Sequence, residues 1–338
     1  LIGYILRRVL FLLPTVLGVT IITFILSHTI PADPARLALG IDAPLSQITR
    51  YHKEHGFDKP LYVQYLIYMG QLLRGNLGVS MTSRRPVMED LKDYFPATLE
   101  LVLTSAIFSF PLGIVLGVIA AQNKNSVIDY GTRLLSMVGV SFPVFWVGIL
   151  FLLIFYLRLH LYPGMGRISP GVILEHPFQR VTGLFLIDTV LAKNVPAFLS
   201  SFSHIWLPAL CLAFSPIARL ARITRASVLD VLNEEYIRVS RSKGLAERKV
   251  IYKHTLRNSL TPILTVVGLS IGYALAGAVL VEAIFAWPGI GTYAFMAASN
   301  LDYPAIMGVT LLSTILFMLV NLTTDICYGV IDPRIVLG

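Results

Sequence analysis

Six uncharged runs, each long enough to cross a bilayer, decide what this chain can fold into: Val9–Ile30, Leu101–Ala121, Leu134–Leu157, Val195–Ala218, Ser259–Val281 and Tyr303–Thr324. A hydrocarbon core takes about 20 residues of helix to span. Backbone groups in lipid must be satisfied within the chain, which favours helices. Charged residues make up 14% of the 338 residues, against about 25% in soluble domains. The sequence therefore predicts an all-α integral membrane protein with six transmembrane helices. Ser200, Ser201, Ser203 and His204 dilute the fourth run, so its span is expected to start near His204 and continue past Arg219.

Positive charge sets the orientation. Arg7 and Arg8 place the N-terminus inside, Lys124 and Arg133 do the same for loop 122–133, and loop 284–302 has no Lys or Arg and falls outside. Both termini are then cytoplasmic, with Arg334 near the C-terminus. The first run follows Arg7-Arg8 and ends in His28-Thr-Ile-Pro-Ala-Asp rather than a small-residue cleavage site, so it reads as a retained helix. The chain divides into residues 1–30 (N-terminus and first span), an extracytoplasmic segment 31–98, and a core 99–338 holding five further spans.

Segment 31–98 is large enough for structure of its own. Leu61 to Leu73 reads as an amphipathic helix started by Pro60 in the first turn, its aromatic side packing on the bundle or lying at the interface. Pro86 to Glu100 reads as a second short helix. Gly268-x-x-x-Gly272 with Ala276, Gly277 and Ala278 predicts close helix packing. Pro111, Pro143, Pro208, Pro216 and Pro262 interrupt the spans and predict kinks. Cys211 and Cys327 lie in apolar runs and read as small buried hydrophobes. Trp287 reads as an interfacial anchor.

Several chemistries are missing. No lysine follows a glycine, so there is no nucleotide-cradling Gly-Lys-Ser/Thr. There is no metal-ligand spacing and no nucleophile with a base. Apart from His28 and His204 the span interiors lack ionisable groups, which disfavours a proton-coupled carrier. Glu100, Glu282 and Asp325 stand at span edges. Glu282 is a candidate for meeting a substrate ammonium or, equally, a helix-end group facing water; Asp188 is a second candidate path residue.

Residues 219–258 form a polar island with ten Lys/Arg and four acids, leaving +6 of the chain's formal +8. Its centre has a local design. Asn233 reads as an N-cap, Glu234 and Glu235 as the first turn, Arg241 and Lys243 as the last, and Gly244 as the left-handed stop. That predicts a helix of about three turns, followed by a second helix from about Glu247 to Leu260. Small Ser240, Ser242 and Gly244 leave room for another surface to approach. A plain basic loop that only orients the protein needs none of these features.

The island resembles the cytoplasmic coupling loop of ABC importer membrane subunits. Set on Gly244, the general Glu-Ala-Ala pattern falls on Arg238, Val239 and Ser240, with His254, Leu256 and Arg257 at its Ile, Leu and Pro positions; Gly244 and Leu256 match. The peptide/nickel branch is much closer. Glu235-Tyr236-Ile237-Arg238-Val239-Ser240-Arg241-Ser242-Lys243-Gly244-Leu245 and His254-Thr-Leu-Arg-Asn-Ser259 follow its form, with Val239, Ser240 and Ser242 as small departures. Ile5-Leu-Arg-Arg8 with Pro14-Thr15, Ile30-Pro-Ala-Asp-Pro34, Gly56 to Leu61, Gly75-Asn-Leu-Gly78, Ala97 to Leu101, Phe285 to Gly291, Asp302-Tyr-Pro304 and Asp332-Pro-Arg334 also have counterparts. Pro177 to Pro208, with Val181 to Asp188, is most similar to dipeptide members.

The resemblance implies a type I ABC importer permease in a bacterial or archaeal cytoplasmic (inner) membrane, forming half of a translocation pathway for dipeptides or short oligopeptides. It also implies a homologous second permease subunit, two ABC ATPase subunits docking on Glu235 to Leu245, and an extracytoplasmic solute-binding protein. ATP and Mg belong to the ATPases; this chain holds no cofactor, binds no nucleic acid and catalyses nothing. The branch leaves nickel, glutathione or antimicrobial peptides open as cargo. A self-powered secondary transporter and a membrane receptor or scaffold are the rival classes.

Overall fold

The computed structural model describes residues 2–29, 34–40 and 42–331. Among these the chain is helical, with one isolated bridge between Val79 and Pro86. Its helices include α1 (Ile2–Thr29), α2 (Leu61–Leu73), α3 (Val87–Gln122), α4 (Val127–Ser141) and α5 (Val144–Arg158). After them come α6 (Phe185–Leu191), α7 (Val195–Leu232), α8 (Glu235–Ser242) and α9 (Glu247–Asn258). The last are α10 (Leu260–Phe285), α11 (Ile290–Ser299) and α12 (Tyr303–Ile331). Two compact units share them, Ile2–Phe95 with Gly289–Met318, and Pro96–Pro288 with Leu319–Gly338.

In the unit that contains the N-terminal helix, α2 forms where expected. Pro60 is its N-cap rather than a first-turn residue. The aromatic side packs on α1: Tyr65 and Tyr68 lie 5.3 and 6.0 Å from the Phe24 ring, and the Tyr65 hydroxyl is 3.0 Å from Thr20 Oγ1. A separate core joins Val87 and Leu91 to Ile290, Tyr293, Ala297, Ala305 and Val309. Buried Asp302 ties it to the loop before α3, accepting from Ser80 Oγ at 2.5 Å and Thr82 N at 2.9 Å. The short helix expected at Pro86 to Glu100 is instead the start of α3, which carries Pro96 and Pro111 within one continuous helix.

In the other unit α7 is the central helix, burying residues on most of its circumference. Glycines set its approach to two neighbours. A Cβ on Gly113 or Gly117 of α3 would lie 2.6 Å from Leu220 Cβ or 2.5 Å from Thr224 Cβ, and one on Gly139 of α4 would overlap Ala218. Gly268 of α10 likewise faces Thr324 of α12, the close packing expected of the small-residue motif. Cys211 is buried here and Cys327 partly so; both are free thiols.

Among the described residues three helices, Val87–Gln122, Val195–Leu232 and Tyr303–Cys327, are long and apolar enough to cross a membrane alone. The expected span 134–157 is not one rod but a bent pair, α4 and α5, turning by 106°. Pro143 lacks an N–H and drives Phe142 to extended backbone at φ −83, ψ 130. The expected second helix of the island, α9, meets α10 at 58° and winds as a π-helix over Val250–Thr255. Trp287 is not an interfacial anchor: it is 1% exposed, sits in the core beside Phe285 and donates Nε1–H to Ala97 O at 2.8 Å. The motif residues 30–33 and 332–334, and the side chains of Arg7, Arg8 and His28, lie outside the described residues.

Candidate functional site

The island begins within α7. Arg225 turns back from it and lays its guanidinium along the Asp129 carboxylate of α4, with Nη2 to Oδ2 at 2.9 Å. Arg133 adds a bond to the same oxygen at 2.7 Å and the Asn125 N–H a third at 3.0 Å. Asp129 has no exposed surface. Beneath the island, Val228 of α7 and Ile251 of α9 share a small core with Val118 and Ala121 of α3.

Asn233 ends α7 instead of starting the next helix. Its φ −86 and ψ −8 are helical, whereas an N-cap needs extended backbone, and that position falls to Glu234 at φ −68, ψ 146. Glu234 makes no side-chain cap bond. Because α7 runs to Leu232, α8 shortens to eight residues, Glu235–Ser242, about two turns rather than three.

One residue fastens α8 inward: Ile237 is fully buried, while Glu235, Tyr236, Arg238, Val239, Arg241, Ser242 and Lys243 are exposed. Its position is fixed from both ends. Asn258 Nδ2 donates to the Tyr236 hydroxyl at 2.9 Å, and Arg241 grips Glu247 of α9 at 2.6 and 3.1 Å. Gly244 is left-handed at φ +73, and nothing within 4 Å would touch a Cβ there, so the requirement for glycine is conformational rather than steric. Leu245 N reaches back to Ser240 O at 3.4 Å. The result is a short helix with a fixed base and a polar outer face containing Val239 and Tyr236. It suits a surface that grips from outside; it holds no nucleophile with a base, and no cluster of metal-ligating side chains occurs among the described residues.

The two candidate path residues lie elsewhere. Glu282, near the end of α10, is fully buried and accepts from Thr98 Oγ1 at 2.5 Å, so it does not face water. Asp188 of α6 is 1% exposed; it accepts from Thr182 N and Oγ1 at 2.8 and 2.7 Å and from Gly183 N at 2.9 Å, folding the loop ahead of α6. Beside it Arg167 pairs with Glu100 at 2.6 Å and donates to Gly183 O at 2.7 Å, its guanidinium 3.7 Å from the Phe185 ring centroid. Burial lowers the Arg167 pKa from its ordinary value and the Glu100 charge opposes that. Sequence reasoning missed the Asp129 and Arg167 pairs, which join residues 96 and 67 positions apart. Arg219, counted with the island but also expected within the fourth span, has its Nε buried in the unit.

Comparison with known proteins identifies the family. Residues 113–337 match the family described as "Binding-protein-dependent transport system inner membrane component", and residues 1–102 match its N-terminal companion, "Binding-prot-dependent transport system membrane comp, N-term". The Di/tripeptide transport system permease protein DppB of Pseudomonas aeruginosa is 44% identical over 336 residues, covering 98% of each chain. The Dipeptide transport system permease protein DppB is 41% identical in Alkalihalophilus pseudofirmus over 333 residues, covering 98% of this chain and 99% of that one. The protein of the same name in Escherichia coli K12 is 41% identical over 334 residues, covering 98% of both. Among solved structures, inward-facing conformations of the MetNI methionine ABC transporter align with TM-score 0.49 and 14% identity, over 70% of this chain and 93% of that one.

Proposed function

The chain belongs to the binding-protein-dependent transport system inner membrane components, and from that premise we propose that it forms half of an ATP-driven import pathway for dipeptides or short oligopeptides. A homologous second permease supplies the other half. Two cytoplasmic ATPases bind and hydrolyse ATP with Mg, and one of them grips α8 and its Gly244 stop. An extracytoplasmic binding protein delivers the peptide. Six spans with both termini cytoplasmic complete this arrangement. Glu282 and Asp188, each held by neighbours, belong to the scaffold in this reading.

The observation that carries the proposal is the geometry of α8. It is braced by Ile237, by the Tyr236–Asn258 bond and by the Arg241–Glu247 pair, so a push on its outer face is passed to α9 and then to α10. Closure of the ATPases would move it as a lever and turn the pathway from inward-facing to outward-facing.

The test is recovery of the complex followed by ATPase and uptake assays driven by the loaded binding protein, with dipeptides, longer peptides, glutathione and nickel as cargo. ATP-dependent uptake of dipeptides is expected. Recovery of the permease with no ATPase subunit would refute the proposal.

A further inference from the structure

Arg219 is partly buried in the bundle, its Nε fully so, and among the described residues no anionic group pairs with it. Its depth follows from the seam between α3 and α7. Gly113 abuts Leu220, so Arg219 is level with Leu112, ten residues before α3 ends at Gln122. At 1.5 Å per residue that is about 15 Å, roughly half of a hydrocarbon core about 30 Å thick. Its guanidinium carbon stands 5.5 Å from the ring centroid of Tyr273, midway along α10. Arg219 enters no ion pair among the described residues, and its buried Nε has no hydrogen-bond partner.

A cation at this depth is costly, and such groups generally face a partner or a wet cavity and mark pathways for polar cargo. The surroundings fit a pathway. One turn back along each helix, Pro216 and Ser270 line a cavity of about 10 Å³ together with Ser105 and Ser109 of α3. Three buried serines thus line a small cavity among apolar side chains, one turn along the helices from Arg219 and Tyr273. Tyr273 is 59% exposed, so its ring and the guanidinium over it are reachable from outside this unit.

We propose that Arg219 and the ring face of Tyr273 form a carboxylate-binding subsite on the translocation path, and that its ligand is the terminal carboxylate of the passing peptide. This rests on the importer function proposed above. A guanidinium presents paired N–H donors that match a carboxylate. The Tyr273 ring stabilises the cation between visits, and no carboxylate among the described residues pairs with it. The subsite would hold the charged end of the cargo at mid-membrane, where desolvation is most costly.

The test uses the whole complex with its second permease, ATPases and binding protein, reconstituted in proteoliposomes. The probes are radiolabelled alanyl-alanine for uptake and a diazirine-bearing dipeptide for photocrosslinking. With Arg219→Gln, uptake should fall about tenfold or more, the factor for losing a charge-assisted hydrogen bond, while binding-protein-stimulated ATP hydrolysis is retained. Arg219→Lys should recover part of the uptake. In the wild type, crosslinks should map to α7 near Arg219 or to α10 near Tyr273, and Arg219→Gln should lose them. Unchanged uptake in Arg219→Gln, or crosslinks confined to other helices, overturns the proposal. If Arg219→Gln fails to assemble, Tyr273→Leu decides: a fall in uptake with ATP hydrolysis retained supports the subsite, and normal uptake overturns it. If the second permease supplies the carboxylate, Arg219→Gln will shed that subunit and the wild type will give no crosslink at either helix, which also overturns it. A wild-type complex that hydrolyses ATP but imports no dipeptide defeats the peptide-importer function first, and the subsite with it.

Discussion

Arg225 binds both carboxylate oxygens of Asp129 across 96 residues of sequence, and Asp129 has no solvent exposure. The pair fastens the start of α4 to α7 within the first residues of the island. Removing one partner leaves the other charge without its bonds. Asp129→Asn is therefore expected to cost about 1–3 kcal/mol, seen as a lower melting temperature of the purified chain. It should also reduce the coupling of ATP hydrolysis to uptake. Arg133→Ala, which removes a contact from a far more exposed partner, should matter much less; equal losses from the two variants would contradict this ranking.

Gly244 tests the lever. Its φ of +73 suits glycine, while the space around it is open. A substitution there meets only the backbone penalty, about 1–2 kcal/mol for an ordinary L-residue. Gly244→Val should insert normally yet lose uptake and ATPase recovery. Gly244→Asn should keep much of both, because asparagine tolerates the left-handed region. Transport by Gly244→Val at the wild-type rate would argue against a fixed bend.

The Glu100–Arg167 pair predicts non-additivity. Both side chains are nearly buried at 5% and 7% exposure. Arg167→Met alone strands a buried carboxylate and should cost about 3–5 kcal/mol. Pairing it with Glu100→Gln should recover a large part of that loss, because the charge left behind is gone. A double-mutant cycle on thermal unfolding in detergent measures the coupling.

Gly268 and Thr324 form a steric pair. A Cβ on Gly268 overlaps the Thr324 side chain, and overpacking of this kind costs about 1–3 kcal/mol. Gly268→Ala should lower the melting temperature, and Thr324→Ala in the same chain should restore most of it. The absence of rescue would mean that the strain lies elsewhere.

What was legible in the sequence was whatever local chemistry decides. Pro60 marked the start of α2 and Gly244 the stop of α8 because each acts through its own backbone angles. Three of the apolar runs fall on helices long and apolar enough to cross a membrane, which composition is enough to find. Asn233 was misplaced because capping depends on where the preceding helix ends, and α7 is held helical to Leu232 by packing that no local pattern reports. The bend at Pro143 was visible as a proline, but not its angle of 106°. Arg219 read as part of the polar island because linear neighbours set that impression, whereas its depth comes from Leu220 meeting Gly113 on another helix. Asp129 and Arg225 gave no signal, being adjacent only after folding.

The glycine seams around α7 have a mechanical consequence. Gly113, Gly117 and Gly139 bring α3 and α4 close against Leu220, Thr224 and Ala218 of α7. Three helices so joined resist shear and travel together as a block. Within this unit the chain breaks at the corner at Pro143 and at the bend between α9 and α10, and those are the places left to take up a displacement. For the lever proposed above, the movement is then a motion of joints between stiff pieces, taken up at corners such as these rather than within the glycine seams.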